Sequence, residues 1–323
     1  MAPEEPSLRS DIQVRLDAFR ERATPVFTVE GTDVAVRIPF RMTVSSEWAS
    51  DPRNATNAWV VQEHIVRTNE SELEQAASAA RLTPGDVQRL HEGRATPEQI
   101  RAVTQALIDA GHLPPRSGDA PDLQKRVEKM MADHGIGLDC AGYSQQAFLA
   151  SRGLSRSATG LNPKIENENL SNLSGKGFAR VSLVDARPGD LFILSPVKTG
   201  EAGHTMIVYD RREATPGEVG ELRQQRGFEK GRIQAYVVDS SFGSDGRFDA
   251  GGVMRQVWYR NEETKTWARR IETLDPNGRT ADEGFQVWPR GGQPLAERVY
   301  GRSEDPSGCH AIEGLYRPRG ELR

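Results

Sequence analysis

The stretch Leu138-Asp139-Cys140-Ala141-Gly142-Tyr143-Ser144 decides how the rest of the chain is read. It places a cysteine where a helix should begin. Asp139 has the short acceptor side chain that caps a helix N-terminus. From Cys140 to Arg152 the spacing is helical, with Tyr143, Ala147, Phe148 and Ser151 near one face, and Gly153 supplies the stop. A thiol in the first turn feels the positive end of the helix dipole, which favours the nucleophilic thiolate. The backbone N–H of Cys140 can also receive a developing oxyanion. A lone cysteine is more often a small buried apolar residue, so the downstream sequence has to decide its role.

Downstream the pattern turns to strands. Residues 186–194 read as a Pro-Gly-Asp turn and an apolar strand, and Gly203-His204 opens a second strand running to Tyr209. A charged insertion, 210–232, precedes a third strand over 233–241, and further strands are expected at 253–259 and 266–272. The chain order is therefore Cys140 on a helix, His204 on a strand and Asp239 on a strand. Thiol chemistry needs an imidazole within hydrogen-bond reach to take the proton. The imidazole in turn needs an acceptor that holds it in one tautomer. Asp239, or a serine beside it, can supply that acceptor. His64, His91, His112, His134 and His310 are rivals to His204, which is preferred because the blocks flanking it are in register.

Taken together, Asp139-Cys140-Ala141-Gly142-Tyr143, Pro188-Gly189-Asp190-Leu191-Phe192, Gly203-His204 and Val238-Asp239-Ser240 resemble the NlpC-type cysteine peptidases, a papain-like family. The resemblance spans roughly residues 123–272. Ala141 stands where the family often has serine, and Asp239 where it more often has histidine or asparagine. The resemblance implies cleavage of amide bonds in peptidoglycan stem peptides, typically beside D-glutamyl residues. It casts Cys140 as nucleophile, His204 as base and Asp239 as the orienting residue. Asp139, Tyr143 and Ser240 would border the oxyanion and substrate, although Tyr143 reads first as helix packing. No cofactor or metal is implied. The expected fold is α+β: a papain-like, NlpC-type domain, with its nucleophile helix on an antiparallel sheet, over 116–323 including a C-terminal extension.

Ahead of it, 1–50 reads as an arm and a β-hairpin, and 51–115 as a small helical bundle. In the hairpin Val34, Val36, Ile38, Phe40, Met42 and Val44 alternate with other residues after a turn at Glu30-Gly31-Thr32-Asp33, and Pro39 suggests an edge or a bulge. Thr83-Pro84 and Thr96-Pro97 are matching helix starts, the second with Gln99 completing a capping box. Residues 73–111 resemble a repressor-type helix-turn-helix, with the helix from Thr83 to Leu90 as the one that would enter the major groove. Residues 70–113 hold four arginines against seven acids, a net charge of 4 − 7 = −3. That balance argues against phosphate binding and for a bundle used in spacing or protein contact. Residues 114–121 read as a linker, 155–177 as a polar stretch that wraps a surface or borders a cleft, and the region from 290 as an extended tail of unassigned role.

The 42 basic and 46 acidic residues give a net charge of −4, so no basic field points to nucleic acid or an anionic membrane. No apolar run is long enough for a transmembrane helix. The first ten residues lack a secretory apolar core, so the chain is expected to start in the cytoplasm and to leave, if it does, by a signal-independent route. Two cysteines, Cys140 and Cys309, make no disulfide framework. A single bridge between them stays open, with separate roles preferred because a bridged Cys140 could not act as a nucleophile. Cys309-His310 offers too few ligands for a metal. The expected partners are a peptide or peptidoglycan substrate and an inhibitor or immunity protein. Two alternatives stay open: an acyltransferase or deamidase effector acting on a protein, and an inactive binding or DNA-binding protein.

Overall fold

The computed structural model describes residues 10–41, 50, 52, 56–118, 120–154, 178–196, 204–225, 227–244, 247–274, 280–288 and 310–321. The arm 1–9, Met42, Val44, the polar stretch 155–177 and Cys309 lie outside the described residues.

The fold is mixed α+β, with helices laid on a large antiparallel sheet. Helix α1 (Asp11–Arg22) starts at a Ser10–Gln13 capping box. A short hairpin follows, β1 (Val26–Val29) and β2 (Thr32–Ala35). Glu30 and Gly31 both take positive φ, 51° and 78°, the conformation that a two-residue hairpin turn requires. The second strand stops at Ala35, short of the expected Val44. Beyond it Ile38 to Arg41 leave the hairpin: Val253 donates its N–H to Ile38 O, and Arg41 to Leu138 O.

The helical segment holds α2 (Ala58–Thr68), α3 (Glu70–Ala79), α4 (Pro84–His91) and α5 (Pro97–Asp109). Both Thr-Pro starts form as expected. Thr83 makes a capping box with Asp86, and Thr96 one with Gln99. Helices α6 (Leu123–Asp133) and α7 (Cys140–Arg152) come next, and Gly153 closes α7 at φ 63°.

The sheet contains β3 (Phe178–Val181), β4 (Leu191–Pro196), β5 (His204–Glu213), β6 (Ile233–Ser244), β7 (Arg247–Asn261), β8 (Trp267–Leu274), β9 (Thr280–Trp288) and β10 (His310–Pro318). Its order is β3-β10-β4-β5-β6-β7-β8-β9, and every pair is antiparallel. Within the charged insertion β5 runs on to Glu213, and a short helix, α8 (Pro216–Leu222), caps a small cluster with Phe228 and Tyr259.

The region read as a tail contributes β10, which lies between β3 and β4. An ion pair seats it. Arg317 donates to both oxygens of Asp190, at 2.8 and 2.7 Å, and Asp190 also accepts from Arg187 N–H. The Pro-Gly-Asp-Leu block thus anchors the last strand.

The expected division at residues 50 and 115 is not a division of the core. A single apolar cluster holds Leu16, Phe27, Leu73, Val103, Met131, Tyr143, Ile193, Ile207 and Val237, drawn from all three segments. Helix α1 packs on α7, α2 packs on α6, and α5 packs on α3 and β1, so the hairpin and the bundle share the core that covers the sheet. A second cluster, with Phe192, Met206, Val208, Phe242, Trp258 and Trp267, fills the other sheet face.

Candidate active site

Helix α7 begins at Cys140, and Asp139 caps it by accepting the Gly142 N–H. The first-turn N–H groups of a helix lack intrahelical acceptors, so this end of α7 is electropositive. Cys140 is 6% exposed. Two hydroxyls fix where it lies. Just before it, Leu138 O accepts from Ser241 Oγ of β6 at 2.7 Å and from Arg41 N–H at 3.0 Å. One turn after it, Ser144 Oγ donates to Thr205 O of β5 at 2.9 Å. The second pin is at Thr205, the residue after His204, and the first is on β6, so the start of α7 is held against the end of these two strands.

His204 is the first residue of β5, opposite Leu194 of β4, and 2% exposed. Its ring stacks on Phe242 of β6, with centroids 4.9 Å apart and an interplanar angle of 37°. Phe242 belongs to the second cluster, whereas α7 packs with Ile207 in the first. The His204 ring thus meets the second cluster, and the helix that carries Cys140 packs on the first. The β5–β6 ladder runs only as far as Ile207 and Asp239, and past it Ser240 Oγ fills the gap by donating to Thr205 O at 2.6 Å. Past that pair, the end of β5 carries His204 and Thr205, and Thr205 O holds the first turns of α7 through Ser144.

The structure does not bring Asp239 to this point. It lies opposite Ile207, three positions along β5 from His204. Both its oxygens accept from Arg255, at 2.7 and 2.8 Å, and Arg255 also donates to Asp17 of α1. The Arg255 guanidinium stacks 3.3 Å from the Tyr209 ring centroid. Burial raises the Asp239 carboxyl, with Arg255 opposing it. Asp239 is thus a strut between α1 and the sheet, and the His204 ring packs against Phe242. Tyr143 is also corrected. It is fully buried, 5.3 Å from the Phe19 ring, and burial raises its phenol well above the ordinary value. A substrate cannot touch it there. Ser240 is buried, and its hydroxyl is committed to Thr205 O.

Asp139 stays at the site as the helix cap. Burial pushes its carboxyl up to about 6, opposed by Arg94 and by the Gly142 N–H. Arg94 lies 3.7 Å away, and about a fifth of the Asp139 side chain (21%) still meets solvent. Arg94 comes from the loop between α4 and α5, inside the stretch that resembles a DNA-binding motif. That loop docks on α7: Asp139 N–H donates to Gly93 O at 2.9 Å, and Gln146 to Ala95 O at 3.0 Å. A Cβ on Gly142 would lie 2.4 Å from Gly93 O, so glycine is what permits the approach. Ser241, Ser144 and Arg94 were missed as site residues in the sequence. A serine's hydrogen-bond partner has no sequence signal when it lies on another element.

Comparison with family models, with curated proteins and with solved structures found no significant match to this chain. Among the described residues no helix is long and apolar enough to cross a membrane.

Proposed function

We propose that the protein is a thiol-dependent amide hydrolase of papain-like, NlpC-type architecture. The observation that carries this reading is the seating of Cys140. It is the first residue of an Asp139-capped helix whose flanks are pinned to β5 and β6 beside His204. In the proposed reaction His204 takes the thiol proton and the thiolate attacks an amide carbonyl. The tetrahedral oxyanion is received by N–H groups of the first turn. The amine leaves with the proton from His204, and water attacking the thioester releases the acid and restores the thiol.

The substrate class follows from the resemblance of the Asp-Cys-x-Gly-Tyr and Pro-Gly-Asp-Leu blocks: peptidoglycan stem peptides, cut beside a D-glutamyl residue. The test is mass spectrometry of purified muropeptides incubated with the protein. A new pair of peptide fragments is expected with the wild type and not with Cys140→Ser. Intact muropeptides, together with a mass shift on a protein target, would move the same thiol chemistry to deamidation or acyl transfer.

A further inference from the structure

Away from the thiol, three side chains converge that no part of the hydrolase reading uses. Glu72 lies in the first turn of α3, His112 follows the end of α5, and His134 is the C-cap of α6. One ligand-capable atom from each lies within 4.8 Å of the others. His112 Nδ1 is 2.9 Å from Glu72 Oε2, and His134 Nε2 is 3.0 Å from the same oxygen. The two rings meet edge to face, with centroids 5.9 Å apart.

The protonation pattern of His134 is informative. Its Nδ1 is 2.8 Å from Met130 O, a group that can only accept, so Nδ1 carries the proton. In a neutral ring Nε2 is then a lone pair, and it points at a carboxylate oxygen, another acceptor. Two acceptors at that distance require a positive charge between them or on the ring. A histidine that gives its far N–H to a backbone carbonyl while aiming its other nitrogen at a carboxylate has the arrangement of a metal ligand with its supporting contact.

We propose that Glu72, His112 and His134 form a site for a divalent transition metal of the zinc class. Two imidazole nitrogens and a carboxylate oxygen are a ligand set that zinc accepts, with a fourth position left for water. His112 and Glu72 are part exposed (29% and 40% of their side chains), which gives the ion an entry path and that fourth position. The backbones are already fixed. His112 donates its N–H to Leu107 O at 3.1 Å where α5 closes, and Asn69 donates to Asp133 O at 3.0 Å, holding the start of α3 against the end of α6. The bound ion would clip three helices together at the point where the chain turns from α6 toward Cys140.

The test uses the full chain, stripped with chelator and titrated with ZnCl2 by calorimetry and with CoCl2 by absorption. One equivalent of zinc is expected, with tetrahedral cobalt bands and no thiolate-to-metal charge transfer. The thermal midpoint should rise by about 5 °C at a hundredfold excess over Kd. His112→Ala and Glu72→Gln change side chains that are already part exposed. Each should keep the metal-free midpoint near that of the wild type and weaken binding at least ~100-fold. Three outcomes overturn the proposal: no stoichiometric binding, binding unchanged in both variants, or a thiolate charge-transfer band. The readouts are independent of any hydrolase activity.

Discussion

At the start of α7 a part-buried carboxylate, Asp139, caps the helix that carries the thiol. Across the same sheet face a second, Asp239, sits between α1 and β7. In the sequence Asp139 reads as the cap beside the cysteine, bordering the oxyanion, and Asp239 as the orienting residue on the strand after the histidine. The structure separates them by what each is given. Asp239 receives a guanidinium through two hydrogen bonds, and that guanidinium is itself held by Asp17 and Tyr209. Asp139 receives a backbone N–H and a more distant Arg94. A carboxylate that takes two hydrogen bonds from one guanidinium is fixed between two elements and acts as a strut. The one that caps the helix is raised by burial to about 6 and titrates beside the thiol.

The largest effect should fall on the pair at the strand end. Cys140→Ser and His204→Ala should each lower kcat/KM by about 10³-fold or more in the muropeptide assay. Asp239→Asn should leave the rate per folded molecule within about tenfold. Equal losses in all three would put Asp239 back in the reaction. Stability reverses the order. Asp239→Ala removes two charge-assisted hydrogen bonds and leaves Arg255 on Asp17 and Tyr209, so it should cost about 2–3 kcal/mol in urea unfolding, with His204→Ala costing less.

Asp139 predicts a pH dependence. Its folded carboxyl lies at about 6, above the ordinary 3.8. Such a group adds stability below the unfolded value and loses it as pH rises through the folded one. The contribution of Asp139 to the unfolding free energy should therefore fall by about 2 kcal/mol as pH rises from 4 to 7, read as the difference between wild type and Asp139→Asn. A curve unchanged by the substitution would show that Asp139 titrates normally. The smallest effect is expected from Ser241→Ala. Loss of the bond to Leu138 O should cost about 1 kcal/mol and lower kcat more than KM, since the bond positions the thiol.

What the sequence made legible was local. The cap at Asp139, the span from Cys140 to Gly153 and the two Thr-Pro helix starts depend on neighbours within a few residues, and each forms where its pattern lies. The strands after Leu191 were legible from apolar alternation. What escaped were pairings between distant segments. β10 looked like a tail because its apolar residues are few and its partner Asp190 lies far back in the chain. Asp239 looked like an orienting residue because strand order places it after His204, and nothing in that order reveals Arg255 opposite it. The chain near Leu138 gave no sign that Ile38 to Arg41 would run alongside it. The Glu72, His112 and His134 cluster has no short-range spacing that a motif could catch.

The most direct test of the central claim is the rate of iodoacetamide alkylation of Cys140 against pH, in a Cys309→Ala background, with and without His204→Ala. The account predicts fast alkylation well below the pKa of about 8.5 of a free thiol, slowed when His204 is removed. An inert Cys140, or one that titrates normally and is indifferent to His204, would contradict it.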